Sequence, residues 1–306
     1  MKEKKQDNMD IVKLLFQSTM MAFGGMLFPV LYLFFPALFL RETSKQGTIR
    51  VMLIFLSVIC LVGAVFGPTQ GFVMLTLFGP LILVLDYCMR TNRNVGVTMI
   101  VATLIFLFSI VFNIYMSGSL VQIQKGTLFQ EVLNFQKEVL KETQFSKIEV
   151  DRFLSQMRES LLFIQTIIPA LVLLSSLAIV YVSYSMTGKA RMMRGEKIVA
   201  PAPFLFVRLP NNLMLTAFVF SILLVFASQF LNLEIEALTY NIIFVVCGLL
   251  FFQGLAVLNF FLFRLVPMGV FRGIFIGILL ILPFVQIFLV FIGFLDQWLN
   301  FRRIRQ

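Results

Sequence analysis

The 306-residue sequence has no histidine, a single tryptophan, three cysteines and only 15 acidic residues. Without histidine there is no imidazole acid–base catalysis, and the commonest metal ligand is missing. Cys60, Cys88 and Cys247 lie far apart, each in or at the edge of an apolar run. They match neither a disulfide framework nor a metal-ligand spacing and read as small apolar packing residues. The HExxH, GxSxG and GxxxxGK[ST] patterns do not occur, and no two aspartates neighbour each other inside an apolar run. The chain is therefore expected not to be an enzyme, to hold no cofactor or metal, and to take any ATP energy from a partner. Charge is scarce too, at 13% of residues against about 25% in an ordinary soluble domain.

What is abundant is apolar: 59% hydrophobic residues, 37 of them Phe, with a mean hydropathy of +0.95. Several runs reach the roughly 20 apolar residues that a helix needs to cross the hydrocarbon core. A run such as IFIGILLILPFVQIFLVFIGFL (274–295) shows none of the two-residue alternation of a membrane β-strand. The expected fold is all-α: a polytopic transmembrane bundle of eight or nine segments, forming one integral membrane domain over residues 1–306. An N-terminal cluster (11–117) and a C-terminal cluster (159–306) flank an extramembrane interval, 118–158.

The first apolar region, Ile11 to Leu40, carries Gly24, Gly25, Pro29 and Pro36. As one helix it would reach about 45 Å, so two short segments (11–25 and 28–40) are expected. It reads as a retained first span and not as a cleaved signal peptide. Further segments follow at 48–66, 71–89, 95–117, 160–186, 211–231, 239–263 and 272–297. Turns GPTQG (67–71) and MRTNRN (89–94) separate the early ones. The net charge of +10 belongs to short loops between spans, the positive-inside pattern, and not to a nucleic-acid surface. That pattern puts the N-terminus and the basic 187–210 loop in the cytoplasm of a bacterial inner-membrane protein. The tail arginines Arg302, Arg303 and Arg305 then fall outside unless Pro283 breaks the last segment into a re-entrant hairpin. In 118–158, six Lys/Arg meet six Asp/Glu once Glu159 is counted. Leu128, Val132, Phe135 and Val139, then Val150, Phe153, Leu154 and Met157, recur at helical spacing. They predict two amphipathic helices, either a connector capping the bundle or a lid over an outward cavity.

Polar residues inside apolar runs are candidates by default, because an unpaired one is costly in lipid. Asp86 stands four residues before Arg90, a spacing that forms an ion pair within one helix. Gln253 sits mid-span beside Gly254, so its amide needs a partner on another helix or in a solute, with Asn259 and Arg264 further along. Gln17, Asn113, Gln165, Gln229 and Gln286 are lone polar residues in other segments. The candidate cavity residues are Gln253, Asn259, Asp86 and Gln17. Asp296 and Arg303 share a helical face near Trp298, which reads as an interfacial anchor.

The segments FPVLYLFFPALFLRE, QGLAVLNFFLFR and GFLDQWLNFRR, with the Asp-x-x-x-x-x-Arg ending (Asp296, Arg302), resemble the uncharacterised YybS-like family of bacterial polytopic membrane proteins. The turns VFGPTQG (65–71) and LFGP (77–80) are more distantly similar to those of substrate-binding membrane subunits of energy-coupling-factor transporters. That likeness implies capture of a micronutrient and partner ATPases. The reading that follows is a subunit, embedded in the lipid bilayer, that binds or helps transport a small solute beside an ATPase or another membrane protein. The alternative is a membrane scaffold or assembly factor with no small-molecule substrate.

Overall fold

The computed structural model describes residues 2–118, 127–141, 147–210, 212–231, 235–266 and 268–303. Among these there are eleven α-helices and no strand. They are α1 (Lys2–Leu27), α2 (Phe35–Gln46), α3 (Thr48–Phe66), α4 (Pro68–Arg90), α5 (Val95–Met116), α6 (Thr127–Lys141), α7 (Lys147–Met193), α8 (Leu213–Leu231), α9 (Ile235–Leu265), α10 (Gly269–Ile281) and α11 (Pro283–Leu299). The chain divides into two compact units, Met1–Val121 with Ser175–Pro201, and Gln122–Leu174 with Ala202–Gln306.

In the first unit the Ile11–Leu40 region is two helices, as expected, with the break at Phe28, inside the expected Gly24–Pro29 turn. A 3-10 turn, Pro29–Leu33, folds the chain back. Gly24 and Gly25 stay helical and make room for that turn. A Cβ on Gly25 would collide with the Tyr32 ring, whose hydroxyl donates to the Ala22 carbonyl at 3.2 Å. Gly67, at φ 101°, turns the chain between α3 and α4, and Pro68 opens α4 with the φ that a first helical turn needs. Gly63 and Gly71 then let these two helices approach at backbone distance. Asn94 caps α5, its side chain accepting from Gly96 N at 2.8 Å. A cluster of rings on α2, α3 and α4 fills the centre: Phe39 meets Phe35 and Phe55, and Phe35 meets Phe78, each at 5.2 Å between centroids. Edge-to-face pairs of this kind add about 0.5–1.5 kcal/mol each beyond area burial.

In the second unit α9 and α11 cross at Gly254 and Gly293. A Cβ on either would run into a backbone carbonyl of the other helix, Leu289 or Leu250. Small residues at such a crossing replace the hydrophobic drive that lipid does not supply. On α7, Pro169 removes a rung of the helix ladder. Asn241 of α9 fills the gap: its oxygen accepts from Ala170 N at 2.9 Å and its nitrogen donates to Thr166 O at 2.7 Å.

Among the described residues, five helices are long and apolar enough to cross a membrane: Thr48–Phe66, Pro68–Arg90, Val95–Met116, Val150–Met193 and Ile235–Leu265. The pair Gly269–Ile281 and Pro283–Leu299, bent by 107°, makes a sixth if counted as one span. This is fewer than the eight or nine apolar segments of the sequence, for visible reasons. The α1 helix includes the charged N-terminal stretch, α2 has 12 residues with Arg41, Glu42 and Lys45, and the apolar part of α8 is Leu215–Gln229. Pro283 breaks the last segment. Between 22% and 50% of each spanning window is buried within the protein; the remaining faces, with Leu53, Leu104 and Phe108 among them, are the surface that contacts the bilayer.

The amphipathic interval departs from expectation in one respect. The first helix, α6, is separate, and its Val132, Phe135 and Val139 are exposed. The second runs unbroken into the following span as the 47-residue α7, about 70 Å long and more than twice the hydrocarbon thickness. Residues 142–146 and the side chain of Leu128 lie outside the described residues, as do Glu234 and Arg305.

Candidate functional site

The first unit gathers its charges at one end. Asp86, near the end of α4, accepts four hydrogen bonds and each carboxylate oxygen takes two. Oδ1 accepts from Arg191 Nη2 at 2.6 Å and from the Thr43 hydroxyl at 2.7 Å. Oδ2 accepts from Arg90 Nε at 2.8 Å and the Thr48 hydroxyl at 2.6 Å. The Arg90 pair is the one that the sequence spacing predicts. Its side chain is half exposed, whereas that of Arg191 is 1% exposed. Both guanidinium groups also reach backbone carbonyls at the end of α2, Arg191 to Leu40 and Arg90 to Thr43. Thr43 O also accepts from Gly47 N, and cations there suit the negative end of the helix dipole. The centre is a clamp joining α2, α4 and the end of α7, with every carboxylate lone pair in use.

Beside it Glu42 accepts from Arg194 at 2.8 Å and from Arg41 at 3.2 Å. Burial alone would raise the Glu42 carboxyl. The bonds and charges of Arg194, Arg41 and Lys45 outweigh burial and hold it below the usual carboxylate range. Glu42 forms part of a cleft of about 120 Å³ lined by Asp10, Lys13, Leu14, Gln17, Leu38, Arg41, Lys45 and Arg194. Gln17 thus meets a cavity, although none of the other three candidates shares it.

The second unit has its own centre, where Gln253 of α9 faces the end of α11. Gln253 Nε2 donates to Asp296 Oδ2 at 3.0 Å, and its oxygen accepts from Gln297 Nε2 and Leu209 N, both at 3.2 Å. Asp296 Oδ2 also accepts from Arg302 Nη2 at 2.8 Å, and both side chains are wholly buried. Asn300, in the left-handed region at φ 45°, turns the tail back so that Arg302 and not Arg303 reaches the carboxylate. Arg302 Nη1 donates to Leu205 O at 2.7 Å and Arg208 to Gln297 O at 3.2 Å. The 202–210 stretch, irregular but for a 3-10 turn at Phe204–Phe206, is therefore tied to α9, α11 and the tail. Irregular backbone is tolerated inside a membrane protein when its polar groups find such partners. Asp296 Oδ1, Gln297 Oε1 and Arg302 Nε find none among the described residues.

The remaining polar residues scatter. Asn259 is buried on α9 but makes no hydrogen bond to this centre. Asn113 accepts from Thr76 at 2.9 Å, and Gln286 reaches back across the helix break to Leu280 O at 2.9 Å. Trp298 is exposed, as an interfacial anchor would be, while Asp296 and Arg302 beside it turn inward. Arg191, Thr43, Thr48 and Asn241 carried no signal of their own in the sequence: three stand in short polar stretches, and Asn241 is one amide in an apolar run. No group of three or more metal-ligating side chains occurs among the described residues.

No curated protein and no solved structure matches the chain. One family, described as predicted membrane protein (DUF2232), matches residues 14–297. The match takes in both units and nearly every helix described above, and the chain belongs to that family of membrane proteins.

Proposed function

We propose that this chain is a multi-pass protein of the bacterial cytoplasmic membrane that binds a small solute. It does so as the membrane subunit of a larger transport complex and catalyses no reaction itself. One observation carries the reading: the wholly buried Asp296–Arg302 pair with Gln253, where a broken helix pair meets the irregular 202–210 backbone. Burying an ion pair costs several kcal/mol per ion before its attraction is counted, so such a centre calls for a reason. Discontinuous helices are where transporters hold their substrates. Asp296 Oδ1 and Gln297 Oε1 offer two acceptors, and Arg302 Nε offers one donor. That set matches a small polar solute with both donors and acceptors. In this reading the eight or nine apolar segments include short ones such as 28–40 and the broken α10–α11 pair as one, and a separate ATPase supplies the energy. The distant energy-coupling-factor likeness of the sequence fits the same role, and the YybS-like likeness implies a polytopic membrane protein without an activity.

A second reading, a scaffold without a solute, is favoured by the Gln253 amide itself. Its oxygen accepts twice and its nitrogen is committed to Asp296, which is how an amide that only holds helices together behaves. Purification from native membranes, followed by mass spectrometry of bound proteins and small molecules, separates the two. A retained metabolite that is lost in Asp296→Asn and Gln253→Leu, with both variants still folded, supports the solute. Both folded variants complementing a deletion strain in full, with a stable protein partner and no metabolite, overturns it.

A further inference from the structure

The cleft of the first unit is independent of that centre. Four cations, Lys13, Arg41, Lys45 and Arg194, line it against two carboxylates, Asp10 and Glu42. Glu42 is already engaged by Arg41 and Arg194. Asp10 lies 3.8 Å from Lys45, and Lys13 has no carboxylate within ion-pair distance among the side chains described, which on α1 begin at Asp10. The cleft therefore keeps a net positive charge, on a floor that the Asp86–Arg191 clamp next to it holds in place. Its volume of about 120 Å³ is well below the roughly 300–1,000 Å³ of pockets for drug-sized ligands. On the same measure a single water needs about 10–15 Å³, so a compact tetrahedral anion fits. Gln17 adds a neutral amide donor, and Arg and Lys together are the usual partners of phosphate oxygens.

We propose that this cleft binds a phosphate group, carried on an anionic phospholipid headgroup or on a free phosphate ester. Two features of the surroundings favour the lipid. Leu14 and Leu38 line the same cleft, and Val12, Phe16 and Met20 on the same helix are exposed, a flank on which acyl chains can lie. The cleft also lies along the N-terminal half of α1, the C-terminal part of α2 and the end of α7, on the side that the charge pattern assigns to the cytoplasm, where basic pockets between membrane helices meet anionic headgroups.

The test uses the full chain purified in a neutral detergent and delipidated mildly. Native mass spectrometry then follows binding of phosphatidylglycerol, of zwitterionic phosphatidylcholine, and of inorganic phosphate added alone. The expected result is retention of phosphatidylglycerol over phosphatidylcholine, falling about tenfold in Lys13→Gln/Lys45→Gln and unchanged in Arg50→Gln, a change to an exposed arginine of α3 that does not line the cleft. Inorganic phosphate binding that is lost in the double variant, with no lipid preference, keeps the site and assigns it to a free phosphate ester. Equal retention of phosphatidylglycerol by wild type and double variant, with no phosphate binding, overturns the proposal. Should the double variant melt far below wild type, the salt dependence of wild-type binding decides: affinity unchanged between low and high salt also overturns it.

Discussion

Asp86 and Arg90 stand one helical turn apart, yet the partner that matters energetically is Arg191, 105 residues away. Removing the carboxylate in Asp86→Ala leaves the Arg191 guanidinium buried without its counter-charge. The expected loss is about 3–5 kcal/mol, read as a large drop in the melting temperature of the detergent-solubilised protein. Arg90→Gln removes a half-exposed partner while Arg191 and two hydroxyls remain, and should cost under about 1 kcal/mol. Equal losses would sink the assignment of Arg191 as the principal partner. Glu42 sets a pH dependence with a definite sign. Its carboxyl lies below the ordinary value in the folded chain, so the folded state binds its proton less readily than the unfolded state does. The stability that it contributes is present above the unfolded value of about 4.3 and is lost as pH falls through the lower folded value. Wild type should therefore lose more stability than Glu42→Gln on acidification below about pH 4. Parallel melting curves for the two across that range would remove Glu42 from this role.

At the scale of the element, glycine has opposite meanings on neighbouring helices. On α9, a Cβ at Gly254 meets the Leu289 backbone of α11, whereas on α10 a Cβ at Gly277 meets nothing. Gly254→Ala has to push two helix backbones apart at their closest point, at a cost of about 1–3 kcal/mol or more. Gly277→Ala only removes backbone freedom from a helix interior and should gain up to about 1 kcal/mol. Unfolding of the two variants by denaturing detergent checks the opposite signs; loss of stability in both would mean that α10 is packed more closely than its open flank implies. The same contrast governs the breaks. Gly67 and Pro68 act as punctuation that the sequence displays. Gly24 and Gly25 look like a break and instead give space to Leu31 and Tyr32, because the folded-back 3-10 turn lies over them.

For the whole molecule, the tail is the feature that the sequence left unsettled. Arg302 binds Leu205 O, so the C-terminal end is tied to the same basic 187–210 loop that the charge pattern puts in the cytoplasm. Cysteines introduced at Gly195 and at Arg303 should both be protected from an impermeant thiol reagent in intact cells, while one at Asn134 in α6 should be labelled. Labelling at 303 with protection at 195 would separate the tail from the loop and refute this topology. By itself the sequence determined the class of protein, the order of its helices and most of their ends. Those follow from local quantities: the length of an apolar run, the φ of a proline, the missing side chain of a glycine, the spacing of Asp86 and Arg90. Only the tertiary structure decided that α7 serves two units, that Gln253 meets Asp296 and that Lys13, Lys45 and Arg194 share one cleft. Such pairings depend on which helix faces cross and how closely, and in an almost uniformly apolar chain no short-range pattern encodes that choice.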